Sequence, residues 1–223
     1  MSEVVSEVSK VSEVVLVERD RKIIREIDRW RVCLGRHIKE LAGFSGQRAC
    51  DRRLRKLIDG GYIRREKILY GVAGIYRNTA KGARVEALPN VSGRKIRIEQ
   101  IKHDITVLDT VIFLSKKHGV EYNAIQSEIE LHRLDGFGIR KHRPDLVFMK
   151  DDKKICVEIE LALKARNRFE NIIKDNYRTY DNQIWIVPSK DSKIATTLKK
   201  NKNMYDNIHI LTLDKVQDQK EEN

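Results

Sequence analysis

The sequence has few of the features that mark secreted, disulfide-stabilised or membrane proteins. Its 223 residues include only three cysteines, Cys33, Cys50 and Cys156, which are an odd number and widely spaced. This argues against a disulfide framework and against a zinc cluster. No apolar run approaches the ~18 residues of a membrane-spanning helix, and no basic segment followed by an apolar stretch opens the chain. We therefore expect a cytoplasmic protein with reduced thiols and no membrane partner.

Positive charge is abundant and concentrated in one part of the chain. Residues 19–84 contain 19 Lys and Arg and seven Asp and Glu. The net charge of this segment, +12, equals the net charge of the whole protein. The sequence after this block is close to neutral. Such asymmetry is typical of a module that binds a polyanion, joined to a second module that does not. A protein that is merely kept in solution by its charge stays as the alternative at this point.

The basic block predicts three helices followed by a β-hairpin. Apolar residues at helical spacing and the turn residues between them place these elements. Ser45 is positioned to cap the third helix, and Gly60 and Gly61 are expected to end it. The helices are expected at residues 23–30, 36–42 and 47–59, and the strands at residues 62–69 and 75–79. This order predicts a winged helix-turn-helix domain over residues 19–88, after a flexible tail of residues 1–18.

The third helix has an apolar side and a basic side. Cys50, Leu54, Leu57 and Ile58 fall within one arc and are expected to pack inward. Four cations project from the opposite arc, where a recognition helix enters the major groove: Arg48, Arg52, Arg55 and Lys56. The hairpin adds Arg64, Arg65, Lys67 and Arg77, placed where a wing would contact the DNA backbone. The pattern predicts binding to double-stranded DNA, although a solvated basic face on a helical bundle would have the same sequence.

A second domain, over residues 96–216, is expected after a linker rich in Pro, Asn, Ser and Gly. It begins with a long amphipathic helix over residues 99–117, and a strand or hairpin pair over 122–133 would include Glu128 and Glu130. Further elements are expected as strands at 144–149, 155–161, 184–187 and 208–213, and as helices at 165–180 and 192–199. The order predicts a small α/β sandwich with a mixed sheet, followed by a disordered tail of residues 217–223.

Carboxylates occur on the strands that should form the core of this domain. Asp145 begins one strand, and Glu158 and Glu160 alternate along the next. Burying ionised carboxylates is costly unless cations or hydrogen bonds compensate. Adjacent antiparallel strands would bring the three groups together, and such oxygen donors suit Mg²⁺. A metal there could activate water and offset the charge of a scissile phosphate. Asp145 and Glu158 are the expected metal ligands.

These motifs resemble a known superfamily. Arg143-Pro144-Asp145, twelve intervening residues and Glu158-Ile159-Glu160 are similar to the PD-(D/E)XK restriction-endonuclease-like signature. Together with the winged helix, His103-Asp104 and the run 157–161, they resemble the replication-relaxation family of plasmids and conjugative elements. The superfamily motif ends in Lys, whereas this chain has Glu160. Lys164 could supply that cation if the following helix begins early, or it could be a surface residue.

The resemblance implies a DNA-binding protein of plasmid replication or conjugative transfer that cleaves DNA with Mg²⁺. Asp145 and Glu158 would then hold the metal, Glu160 would act as a ligand or general base, and Lys164 would stabilise negative charge. Two alternatives stay open: a degenerate, non-catalytic nuclease fold that serves as a scaffold, or a transcriptional regulator. A relaxase, a replication protein or a second copy of the chain are the candidate protein partners.

Overall fold

The computed structural model describes residues 14–68, 70–71, 73–88, 96–135 and 141–217. Over these residues the protein is a mixed α and β structure with a two-stranded sheet and a five-stranded mixed sheet. Nearly all of the predicted tails and of the predicted linker lies outside the described residues. No helix in the described part of the chain combines the length and the apolar character needed to cross a membrane.

The chain divides into two compact units. The first comprises the residues up to Asp28 and those from Cys33 to Lys95, and the second comprises Arg29–Val32 and the residues from Ile96 onward. The sequence places residues 29–32 in the first domain, so this assignment differs from the expectation.

The first unit contains four helices and a hairpin. Their bounds are α1 Glu18–Trp30, α2 Gly35–Leu41, α3 Gln47–Asp59, β1 Ile63–Glu66, β2 Ile75–Asn78 and α4 Ala80–Val85. Strands β1 and β2 are antiparallel, with Arg64 opposite Arg77. Ser45 does not cap α3, because the N-cap position is Gly46 and no side chain accepts a hydrogen bond there. Helix α4 was not expected from the sequence, although Thr79 caps it by accepting a hydrogen bond from the Gly82 amide.

The second unit is built around the five-stranded sheet. Its elements are α5 Ile98–His118, β3 Gln126–Ser127, α6 Glu128–Asp135, β4 Leu146–Lys150, β5 Lys153–Ile159, α7 Arg166–Thr179, β6 Asn182–Val187, α8 Lys193–Asn201, β7 Ile208–Thr212 and α9 Leu213–Gln217. The strands are ordered β3-β4-β5-β6-β7. The pairs β3–β4 and β4–β5 are antiparallel, and β5–β6 and β6–β7 are parallel. The parallel strands end at one common edge.

The predicted strand pair over residues 122–133 is wrong. Only Gln126 and Ser127 form a strand, and Glu128 begins helix α6. The Glu130 carboxylate accepts hydrogen bonds from the backbone amide and hydroxyl of Ser127, at 2.7 and 2.9 Å. This is a capping-box pairing, which favours a helix start over continued strand. Glu128 and Glu130 therefore belong to a helix and not to an alternating strand.

One face of the parallel strands packs against helices α7 and α8. Trp185 on β6 is fully buried and meets Phe169 of α7 with ring centroids 5.1 Å apart. Val187, Ile194 and Leu198 belong to the same apolar cluster. Since side chains alternate between the faces of a strand, residues in register with Trp185 and Val187 point towards the same helical layer. Glu158 is in register with Trp185 and Thr212 with Val187, so both polar side chains face this layer.

Candidate functional site

Helix α3 presents four exposed cations to solvent. We call Arg48, Arg52, Arg55 and Lys56 the basic face of the first unit; all four are exposed. On the opposite side of the helix, Cys50, Leu54 and Leu57 are buried. Contact with α2 and β1 holds the helix in place. None of the four cations forms an ion pair with another described residue. Their charge is therefore available to a partner outside the chain.

The remaining arginine of this helix has a different role. Arg53 Nε donates a 2.6 Å hydrogen bond to Asp20, and a second guanidinium nitrogen also contacts that carboxylate. Asp20 is fully buried, so Arg53 satisfies a carboxylate of the core while its neighbours face water. Helix α3 therefore carries one arginine that is paired within the fold and four cations that face solvent. Sequence periodicity alone did not single out Arg53 as a structural residue.

The hairpin contributes fewer available cations than the sequence suggests. Arg77 is 8% exposed, and both Arg64 and Arg77 form ion pairs with Glu66. The two arginines share this one carboxylate, which holds them against the hairpin. Arg65 and Lys67 are exposed, and the Arg65 guanidinium lies 5.9 Å from the centre of the Tyr76 ring. These two residues are the ones placed to extend the basic face.

In the second unit, adjacent strands bring Asp145, Glu158 and Glu160 together; we call these residues the carboxylate cluster. Leu146 pairs with Val157, so Asp145 lies opposite Glu158 at the next position of the antiparallel ladder. Asp145 Oδ2 accepts a 2.6 Å hydrogen bond from the Ile159 amide. Glu158 and Glu160 are 2% and 3% exposed. Each of the three carboxylates has a cationic or polar partner.

Asp145 is paired with His103 of helix α5. His103 Nε2 lies 3.1 Å from Asp145 Oδ1, and His103 Nδ1 lies 3.6 Å from Asp104 Oδ1. The second distance is that of an ion pair rather than a hydrogen bond. Burial by itself would lower the pKa of His103, but the interactions with Asp104 and Asp145 outweigh it and raise the pKa to about 10. His103 is therefore a cation at neutral pH.

Glu158 has two partners, His142 and Asn176. His142 Nε2 lies 2.7 Å from Glu158 Oε1, and the Asn176 side-chain amide donates a 2.8 Å hydrogen bond to the same oxygen. Burial raises the pKa of Glu158, although both contacts act in the opposite direction. Burial lowers the pKa of His142, but its hydrogen bond to Glu158 outweighs this and the net pKa is raised. The pair thus holds a proton more tightly than its members would separately.

Glu160 is paired with Lys164, which donates a 2.5 Å hydrogen bond to Glu160 Oε2. Helix α7 begins at Arg166, so Lys164 reaches this carboxylate from the preceding loop and not from an early helix. Burial raises the pKa of Glu160 more than Lys164 lowers it. Lys164 is thus a partly exposed residue that pairs with Glu160.

The sequence motifs do not predict two members of this site, His142 and Asn176. His103 belongs to the His103-Asp104 motif of the resemblance, which does not predict its pairing with Asp145. Asn176 does leave a signal, because it continues the buried stripe of Phe169, Ile172 and Ile173 with a polar residue. His142 directly precedes the Arg-Pro-Asp motif. The pairing of His103 with Asp145 leaves no local signal, since the two residues are distant in sequence.

Within the described residues, no group of three or more His, Cys, Asp or Glu side chains is arranged so that it could hold a metal ion. The donor chemistry nevertheless suits Mg²⁺, which needs only one or two carboxylates and keeps several waters. Glu158 Oε2 and Glu160 Oε1 accept no hydrogen bond from the described residues. Comparison with protein-family models and with curated proteins finds no match.

Proposed function

We propose that this protein binds duplex DNA through the first unit, with α3 as the recognition helix and the β1–β2 hairpin as the wing of a winged helix-turn-helix. The observation that carries the proposal is the basic face: four exposed cations without ion pairs, opposite a buried apolar stripe. Arginine and lysine in this arrangement suit phosphates and guanine edges. The concentration of net charge in this part of the sequence supports the same function.

The test is to remove two of these charges without disturbing the core. Arg52→Ala combined with Arg55→Ala should weaken duplex binding and leave folding intact, because both side chains are exposed. Each lost phosphate contact should reduce the salt dependence of the binding constant by ~0.9, so the slope should fall by about 2. Fluorescence anisotropy with a labelled duplex at several salt concentrations measures both quantities.

A matched control separates a local contact from a general effect of net charge. Lys174 and Arg178 are exposed and lie four residues apart on α7. Replacing both with Ala removes the same total charge from the second unit. Equal losses of affinity in the two double variants, or unchanged affinity and salt slope in the α3 variant, would refute the assignment of this helix to DNA.

A second function is proposed for the carboxylate cluster: cleavage of phosphodiester bonds. The pairing of Asp145 with Glu158 across two strands supports it, together with the resemblance to the PD-(D/E)XK superfamily. Asp145 and Glu158 would hold Mg²⁺, which when bound supplies an activated water and neutralises phosphate charge. The chain's own residues orient the cluster: His142 and Asn176 hold Glu158. The alternative is a scaffold whose carboxylates are neutralised only by His103, His142 and Lys164. The resemblance alone would place the protein in plasmid replication or conjugative transfer.

Metal-dependent stabilisation and cleavage distinguish the two interpretations. For a metal-binding cluster, Mg²⁺ or Mn²⁺ should raise the melting temperature by mass action, and EDTA should reverse the effect. Asp145→Asn should weaken this response and abolish metal-dependent cleavage of supercoiled DNA, while duplex binding by α3 persists. Asp175→Asn on α7, an exposed acid, is the control. If neither metal changes melting and no DNA is cut, the scaffold alternative is correct.

A further inference from the structure

A cavity of about 210 Å³ lies beside the last strand of the second unit. It is lined by Lys190, Ala195, Lys199, Ile210, Thr212 and Lys215. None of these residues belongs to the basic face or to the carboxylate cluster. We call the site formed by the three lysines and Thr212 the lysine pocket.

The local structure explains why these residues meet. Ile210 and Thr212 are two positions apart on β7 and therefore point to the same side of the sheet. Ala195 and Lys199 are four positions apart on α8 and share one helix face. Strand β7 is the last strand of the sheet, so the space beside it is bounded by α8 and by Lys215 of α9. The pocket is thus a product of the strand–helix packing.

The pocket is positively charged. Lys190, Lys199 and Lys215 are exposed at their outer ends, and none of them forms an ion pair among the described residues. Lys199 Nζ donates a 3.1 Å hydrogen bond to the Lys190 carbonyl, which restrains its position and leaves two further N–H donors. Exposed Asp214 lies nearby; its interaction with the Thr212 hydroxyl is the main reason that its pKa is lowered, ahead of backbone hydrogen bonds and the charge of Lys190.

Thr212 is the buried polar residue of the pocket. It is 4% exposed, and its hydroxyl, which forms no hydrogen bond of normal geometry with the described residues, interacts with the exposed Asp214 carboxylate. Buried hydroxyls are nearly always satisfied, because an unmade hydrogen bond is unfavourable. A ligand oxygen in the pocket would compete with Asp214 for this hydroxyl and give it a well-aligned partner.

We propose that the lysine pocket binds a phosphate group. A tetrahedral oxyanion offers several acceptors to converging ammonium groups and a hydroxyl. Val187 pairs with Thr212, and Ile159 pairs with Ile186, so Thr212 lies two strands from Glu160 in the same row. At the spacing of adjacent strands this is about 10 Å. The phosphate could thus belong to a nucleic-acid strand near the carboxylate cluster, or to a free nucleotide.

Binding is tested on the full chain with inorganic phosphate as the probe. Backbone amide resonances of Lys199, Thr212 and Lys215 should shift on titration with phosphate and not with chloride at equal ionic strength. Lys199→Ala should weaken phosphate binding about tenfold, the effect of losing one charged hydrogen bond. Lys200→Ala is the matched control, because this exposed neighbour on α8 does not line the pocket.

Thr212 and Asp214 variants test the pocket by a different route. Thr212→Val preserves shape but removes the hydroxyl and should weaken phosphate binding several-fold, whereas Thr212→Ser should restore it. Asp214→Asn should strengthen binding, since it removes a nearby negative charge. Equal effects of the Lys199 and Lys200 variants, or no phosphate-dependent shift at Thr212, would overturn the proposal and leave Thr212 with a water molecule.

Competition identifies the source of the phosphate. A 5′-phosphorylated single strand that displaces inorganic phosphate, when the unphosphorylated strand does not, indicates a strand terminus. Displacement by both strands indicates a backbone phosphate, and displacement by AMP alone indicates a free nucleotide. The proposal does not depend on DNA binding by α3: the Arg52/Arg55 double variant should retain the phosphate-dependent shift at Thr212 even if duplex binding proves absent.

Discussion

Replacing Asp145 with Asn should lower the pKa of His103 and remove its charge at alkaline pH. In the wild-type protein the ring lies between two acids, with Nε2 3.1 Å from Asp145 and Nδ1 3.6 Å from Asp104. The side chain of His103 is 25% exposed, so water screens these interactions only in part. Asp145→Asn retains the shape of the side chain and removes the nearer negative charge.

The expected change in the pKa of His103 follows from two opposing effects, burial and the neighbouring acids. Burial lowers the pKa of His103, so the two acids account for the entire rise from the ordinary 6.5 to about 10. An opposite charge at this distance typically changes a pKa by about 1 to 3. We therefore expect a decrease of this size in the variant, with Asp104 keeping the pKa above the value for a buried histidine that lacks acidic neighbours.

The assay is an NMR titration of the imidazole Cε1–H resonances, with His103→Gln used to assign the His103 signal. Asp175→Asn removes an exposed carboxylate on α7 and should leave the titration unchanged. A wild-type His103 that titrates near 6.5 would refute the geometry. An unchanged pKa in Asp145→Asn would show that Asp145 is not the partner that holds the proton.

The same pair should make stability depend on pH. Because the pKa of His103 is higher in the folded state than in the unfolded state, its stabilising contribution is complete below about 6.5 and is lost as the pH rises through about 10. The free energy of unfolding in urea should therefore fall between pH 7 and pH 10. This decline should be shallower in Asp145→Asn, and parallel declines would contradict the assignment.

Two further predictions concern the first unit. Asp20→Ala should lower the free energy of unfolding by about 1–3 kcal/mol, because it leaves Arg53 and the Val17 amide without their acceptor; urea denaturation measures this, and a loss of less than ~0.5 kcal/mol would show that water replaces the carboxylate. Gly82→Ala should be more harmful than Gly46→Ala, because a Cβ at Gly82 would lie 2.0 Å from the Tyr62 carbonyl oxygen and one at Gly46 meets nothing within 4 Å. Overpacking costs about 1–3 kcal/mol, and similar melting temperatures of the two variants would contradict the close approach.

Local sequence patterns predicted much of the secondary structure and the buried and exposed faces of helix α3. The period of α3 separates Leu54 and Leu57 from Arg52 and Arg55, and the structure buries the first pair and exposes the second. This succeeds because helical period and side-chain hydrophobicity act over a few residues. The predicted strand at Glu128 is wrong for a local reason: the capping pair of Ser127 and Glu130 starts a helix where the alternating pattern predicts a strand.

The sequence by itself determined which residues are charged, which strand alternates and which face of α3 is apolar. It also indicated that Asp145 and Glu158 converge, because an antiparallel pair joined by a short turn has only a few registers. Only the tertiary structure decided that His103 neutralises Asp145, and that Arg77 turns inward to Glu66. It likewise decided that Thr212 lies in the wall of a cavity lined by lysines. These contacts join residues from different elements, and their distances depend on how helices pack against a sheet, which no local periodicity contains.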